Sequence, residues 1–276
     1  MNIFRFEKQM HLKNMPLFPE EIENDPWIIY HGTSCFNEEG IERDGFIWKA
    51  GNTPREVLSR VVDIFEKMQW AGLDSSSLAI LKPYSLQHDF DERYVSPVYF
   101  AETSRRALLY ATRDFAGGEK LRSLRKSFEH LQRYLDDPLI RQDHMQYLQH
   151  EYDYLERNGA YMPAYSKPVQ VNLEWLSHEL DTMEQISIAA KVAYDEHEYG
   201  VVYAIKLGQQ DVEKLTYHNS MGIKATCCID PGKIEAKAIV PGDFRLFSHG
   251  RSFEEVMMLE SFSTGVYATL KRNEIV

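Results

Sequence analysis

Five large apolar residues, Leu121, Leu124, Phe128, Leu131 and Leu135, recur at spacings of three and four, the period that lines up side chains on one face of an α-helix. After Pro138 the stripe resumes through Met145, Leu148, Tyr152 and Leu155. Two such helices in succession read as a helical hairpin whose stripes pack against each other and the body; a partner-binding element is the alternative. On both sides of this stretch the pattern changes to strands. Trp27-Ile28-Ile29-Tyr30 and Val98-Tyr99-Phe100 precede it, and Gly200 to Leu207, Ala225 to Ile229 and Ile234 to Val240 come after it. The last two are divided by Asp230-Pro231-Gly232 and closed by Pro241-Gly242, where proline presets one dihedral and glycine accepts a positive φ. Helices in the middle with strands toward both ends predict an α+β class. With 276 residues, 43% of them hydrophobic, the chain can bury a sizeable core.

The first strand runs into His31-Gly32-Thr33 and then a short helix closed by Gly45. Next comes a helix from about Arg55 to Trp70, with Val57, Val61, Ile64 and Met68 on one face and Pro54 in its first turn. Beyond Pro97, the strand Val98-Tyr99-Phe100 leads into a helix from Ser104 to about Arg113 that Gly117-Gly118 ends.

Thirty-one basic against 42 acidic residues give a net charge of -11. That balance disfavours a nucleic-acid backbone as partner and favours a protein or small molecule. The three cysteines, Cys35 and the adjacent Cys227-Cys228, fit neither a disulfide framework nor a zinc site of spaced pairs, which points to a reducing compartment and no metal. No apolar run is long enough to span a bilayer and no signal-peptide pattern is present. The expectation is a chain away from membranes, cytoplasmic or delivered into a host cell by a route without a standard signal peptide. Phosphate-binding glycine loops, the GxSxG elbow and HExxH are all missing.

There remains a strand ending in His-Gly-Thr, where a small residue allows close backbone approach and an imidazole offers a hydrogen bond. The stretch His31-Gly32-Thr33, Asn37, Gly40-Ile41, Gly45-Phe46 is similar to the first motif of the poly(ADP-ribose) polymerases and diphtheria toxin, the His-Tyr-Glu type of ADP-ribosyltransferase. In that family the histidine hydrogen-bonds a ribose hydroxyl of NAD, and the glycine backbone pairs with the nicotinamide amide. Val98-Tyr99-Phe100-Ala101, with Tyr110 eleven residues after Tyr99, resembles the second motif, whose strand tyrosine and helix tyrosine hold the nicotinamide ring between them. Two aromatic faces suit a flat cationic ring. The resemblance covers three short motifs. It implies an ADP-ribosyltransferase fold over residues 1–276, with a split, twisted β core and a helical insertion from about Glu119 to Asn158. It also implies NAD as substrate, bound by His31, Gly32, Thr33, Tyr99 and Tyr110 with no metal. The implied reaction is cleavage at the nicotinamide–ribose bond and transfer of ADP-ribose to an unknown protein acceptor, as in bacterial effectors and toxins.

The third motif departs from the family. Matching Cys227-Cys228-Ile229-Asp230 through Ile234 to the last motif puts the catalytic glutamate's position at Ala225, and alanine cannot stabilise an oxocarbenium-like transition state. Three explanations compete: a Glu→Ala substitution made to trap a ligand or tame toxicity, a naturally noncatalytic chain, or a different register in which another carboxylate serves. Glu235, at the start of a strand, and Glu254-Glu255 are the alternative carboxylates; as bland readings they are solvated charges. Ile223, two before Ala225, removes the paired-acid pattern of arginine-modifying relatives, so arginine is disfavoured as acceptor. Two further readings stand: an RNA 2′-phosphotransferase of the same fold, which the acidic balance opposes, and a noncatalytic NAD- or ADP-ribose-binding module, which Ala225 supports. Asp195-Glu196-His197-Glu198 reads as an acidic surface loop rather than a cation site, and Cys227-Cys228 as packing residues inside a strand.

Overall fold

A computed structural model describes residues 1–7, 16–46, 55–69, 81, 98–158, 167–218, 222–225 and 227–244. Its strands are β1 (Asn2–Arg5), β2 (Ile28–Ser34), β3 (Val98–Phe100), β4 (Tyr199–Lys206), β5 (Leu215–His218), β6 (Gly222–Ala225) and β7 (Ile234–Pro241). Its helices are α1 (Glu20–Glu23), α2 (Glu38–Asp44), α3 (Arg55–Lys67), α4 (Ser104–Tyr110), α5 (Gly118–Asp136), α6 (Pro138–Arg157), α7 (Leu173–Thr182), α8 (Glu184–Asp195) and α9 (Gln209–Val212). The class is α+β with two sheets. No described helix is long and apolar enough to cross a membrane.

The chain forms two compact units. The first comprises Met1–Gly51, Asp91–Gly118 and Ala193–Val276, and the second Asn52–Phe90 and Glu119–Val192. The second is helical. Val61, Ile64 and Phe65 of α3 with Met68 just beyond it, Leu124, Phe128 and Leu131 of α5, and Leu176 of α7 share one apolar core, so the stripe at spacings of three and four is a packing stripe. This unit reaches beyond residues 119–158, taking in α3, α7 and most of α8. The helix α7 had a readable signal: Leu173, Leu176 and Leu180 repeat at helical spacing, and Asn172 caps it by accepting from the Glu174 and Trp175 N–H groups.

The first unit carries both sheets. One has the order β1-β7-β4-β2, with β1 and β7 parallel and the other neighbours antiparallel. The other, β3-β6-β5, is antiparallel throughout. Strand alternation gives the larger sheet two apolar faces. Ile28 and Tyr30 of β2, Val202 and Ala204 of β4, and Ala236 and Ala238 of β7 pack with Ala107, Leu108 and Ala111 at α4. On the opposite face Ile29, Val201, Tyr203 and Ile205 meet Phe46 and, from the smaller sheet, Phe100, Ile223 and Ala225.

Two glycines set how closely α4 approaches. A Cβ built on Gly32 would stand 1.7 Å from the Ala107 carbonyl oxygen, and one on Gly200 would stand 1.7 Å from that of Ala111. Helix backbone therefore lies directly on strand backbone, and no side chain fits between them. The glycine of His-Gly-Thr is thus demanded by helix packing as well as by any ligand.

Two local expectations need correction. The strand expected over Ala225 to Ile229 runs instead over Gly222–Ala225 and stops there, with Ile229 making only an isolated bridge to Phe46. Cys227 and Cys228 consequently lie outside any strand as free thiols, the first half-buried and the second exposed. The acidic loop Asp195 to Glu198 is also not uniformly a surface feature, because His197 is fully buried and its Nδ1 lies 3.0 Å from the Ser34 hydroxyl.

Candidate functional site

The two sequence motifs meet where β2 forms the edge of the larger sheet and β3 the edge of the smaller. Tyr30 and Ala101 exchange both backbone hydrogen bonds, at 2.9 and 2.7 Å, and this is an isolated bridge. One antiparallel step further along would pair Gly32 with Tyr99, but the pairing stops. Tyr99 uses its carbonyl oxygen to accept from the His31 ring nitrogen Nδ1 at 2.9 Å. Because residues two apart in a strand aim their peptide groups the same way, the Gly32 N–H and C=O point away from β4, toward the gap where the two strands part.

This hydrogen bond fixes the chemistry of His31. A backbone carbonyl can only accept, so Nδ1 carries the proton and the neutral ring presents Nε2 as an acceptor. The ring packs edge-on to Phe46 at 5.1 Å and against Phe100 at 5.5 Å. Burial among these rings lowers the His31 pKa to about 4, against a smaller raising effect of the Tyr99 bond. At neutral pH the imidazole is uncharged.

The other candidates lie on neighbouring elements of the same unit. Tyr99 alternates with Val98 and Phe100, which face the second apolar cluster, so its side chain projects to the side of α4. Tyr110, half-buried on the last turn of α4, packs on the first cluster with its ring 5.3 Å from Phe115. Thr103 caps α4 by accepting from the Arg106 N–H. Thr33 is buried, and its hydroxyl accepts from Asn37 Nδ2 at 2.9 Å, tying the entry of α2 to the end of β2. Its side chain anchors structure.

Ala225 ends β6, the centre strand of the smaller sheet, paired with Val98 on one side and Leu215 on the other. It is fully buried in the second apolar cluster. Glu235 is exposed near the start of β7. Glu254 and Glu255 lie outside the described residues. Among the described residues no cluster of histidine, cysteine or carboxylate side chains could hold a metal ion.

One group that sequence reasoning missed lies on the same sheet face as His31. Cross-strand register places His31 beside Tyr203 and Tyr203 beside Lys237. Lys237, buried, donates to Glu38 Oε1 at 2.6 Å and to Glu42 Oε1, while Tyr199 donates to Glu38 Oε2 at 2.6 Å. Burial works against the charged lysine, but the two carboxylates outweigh it and raise its pKa. The Glu38 bond pushes the Tyr199 hydroxyl up to about 12. The sequence signal was a lysine at a position of β7 flanked by Ala236 and Ala238.

No protein-family model matches the sequence, and comparison with curated proteins and with solved structures finds no match.

Proposed function

We propose that this chain binds NAD in an ADP-ribosyltransferase-type fold and is a mono-ADP-ribosyltransferase, or a disabled form of one, acting toward a protein acceptor. The observation that carries the reading is the His31–Tyr99 hydrogen bond at the point where β2 and β3 part. It joins the two resembling motifs and turns their polar groups into a set that suits one ligand. The Gly32 N–H and C=O are a donor and an acceptor side by side, matching the acceptor and donor of a carboxamide. The Nε2 lone pair of His31 suits a ribose hydroxyl, and Tyr99 and Tyr110, both on the α4 side, suit the flat nicotinamide ring.

In this reading the glycosidic bond between nicotinamide and ribose breaks, positive charge grows on the ribose, and ADP-ribose passes to the acceptor. A fixed carboxylate ordinarily stabilises that charge. With Ala225 at its expected place, the chain binds NAD and turns it over slowly. A second reading, a noncatalytic NAD- or ADP-ribose-binding module, is favoured by the complete burial of Ala225 among apolar side chains.

Titrating the purified protein with NAD while measuring nicotinamide release separates these. Binding with slow release supports the disabled transferase, and binding of NAD and ADP-ribose with no release supports the module. Absence of NAD binding would sink both.

A further inference from the structure

We propose that Lys237 is a positioning residue for His31, acting through α2 and Phe46. Only its ligand readout rests on the NAD reading above. The lysine does not touch the imidazole; it holds the element that walls it in. Glu38 and Glu42 lie one turn apart on α2, and both accept from the one buried ammonium. The two tyrosines of β4 complete the attachment, Tyr199 donating to Glu38 and Tyr203 donating to Glu42 at 3.4 Å. A carboxylate-bearing face of α2 is thereby bound to β4 and β7.

The chain leaving α2 forms the wall itself. Gly45 ends the helix at φ +80°, where a Cβ would come 2.2 Å from the Ile229 carbonyl oxygen. Phe46 then pairs its backbone with Ile229 at 2.9 and 3.2 Å. Its ring touches His31 at 5.1 Å, Phe100 at 5.3 Å and Tyr203 at 5.7 Å. Removing the ammonium would leave two carboxylates facing the sheet without a counter-charge, and a half-broken buried pair is costly. The relief is for α2 to move outward to water, carrying Phe46 with it and loosening the cage around the imidazole. His31 is half-buried. Phe46, Phe100 and the Tyr99 carbonyl lie against its ring and Tyr203 stands beside it across the strand pair, none of them charged, so further water admitted there would show directly in the titration of His31.

The test is Lys237→Met, which keeps the chain length and removes the charge, with Lys237→Arg as the conservative rescue. By NMR the His31 pKa, which burial lowers to about 4, is expected to rise by at least about one pH unit toward its ordinary value in Lys237→Met. NAD affinity should fall by at least about tenfold, and Lys237→Arg should restore both within about threefold. A lysine that only stabilises the fold would lower the melting temperature while leaving the His31 titration where it was, and that result overturns the proposal. If the parent binds no NAD, the ligand reading fails, yet the His31 titration still decides the role of Lys237. If Lys237→Met does not fold, Glu42→Gln releases one of the two attachments. An unmoved His31 titration in that variant is equally fatal.

Discussion

His31 donates its Nδ1–H to the backbone carbonyl of Tyr99 at 2.9 Å across 68 residues of sequence, and burial holds the ring neutral down to about pH 4. The form that offers Nε2 as acceptor is therefore the form present throughout the neutral range. NAD affinity should stay flat from pH 8 to about pH 5 and fall only as the imidazole protonates near its lowered pKa. His31→Ala should lose NAD binding while remaining folded. Isothermal titration across this range checks both, and a drop in affinity centred near pH 6.5 would show that the histidine is not caged as described.

Gly32 and Gly40 make opposite forecasts for the same substitution. At Gly32 a Cβ meets the Ala107 carbonyl carbon at 2.7 Å and its oxygen at 1.7 Å, backbone atoms that cannot turn aside. Gly32→Ala should destabilise by about 3 kcal/mol or more as α4 is pushed off the sheet. Gly40 lies within α2 with nothing within 4 Å of its Cβ position, so Gly40→Ala should stabilise by roughly 0.5 to 1 kcal/mol. Urea unfolding of the two variants tests the packing directly. A Gly32→Ala protein as stable as the parent would rule out the backbone contact.

In the helical unit, Phe128 is 6% exposed and His144 equally buried, its ring 5.6 Å from that of Tyr134. Phe128→Ala should cost about 3 kcal/mol. Burial, aided by nearby His130, lowers the His144 pKa to about 4, below its unfolded value. The folded state thus resists the proton: stability from this group is complete above pH 6.5 and is lost as pH falls toward 4. His144→Phe should flatten that part of the stability profile. If Phe128→Ala left the melting curve unchanged but abolished modification of a target, α5 would be a partner surface.

Features set by local period and punctuation were readable in advance. The apolar run into His31-Gly32-Thr33 became β2, Gly45 closed α2, and the stripe from Leu121 to Leu155 became α5 and α6. Features set by distant pairing were not. β1 is four residues long and gains its place by lying parallel to β7, the last of the described strands. The end of β6 at Ala225 depends on both neighbours in its sheet, so the run from Ala225 through Ile229 suggested a strand three residues too late. For the candidate site, the resemblance of two short motifs to those of a known family pointed to His31, Tyr99 and Tyr110. The bond that fixes the His31 tautomer and the α4 contact at Gly32 are three-dimensional facts with no local signature.

Tyr110 tests the ligand reading with little demand on the core. It is half-buried beside Phe115 rather than at the centre of the first cluster, so truncating it should be tolerated by the fold. Tyr110→Ala should weaken NAD binding by at least about tenfold, the order of one lost aromatic contact. Fluorescence titration of the folded variant measures it, and parental affinity would remove Tyr110 from the nicotinamide pocket.

Ala225 carries the sharpest forecast, because its burial and its expected role pull in different directions. In the transferase reading its position belongs to a carboxylate that faces the nicotinamide ribose; in the structure the side chain has no exposed surface and shares a cluster with Phe100, Ile223 and Ile229. An isolated carboxylate placed there without a partner would cost several kcal/mol. A site able to receive it must open toward bound NAD. If the position is the glutamate's, Ala225→Glu should raise nicotinamide release by ~10² to 10³, the usual worth of one preorganised electrostatic group, with NAD affinity within a few fold of the parent. If the position is only core, the same variant should melt at a markedly lower temperature and release no more nicotinamide than before. Glu235, exposed on β7, supplies the internal control: Glu235→Ala should leave both binding and release unchanged. Loss of nicotinamide release in Glu235→Ala, together with no gain in Ala225→Glu, would move the catalytic carboxylate to Glu235. Rapid turnover by the parent chain would count against the Ala225 assignment before either variant is assayed.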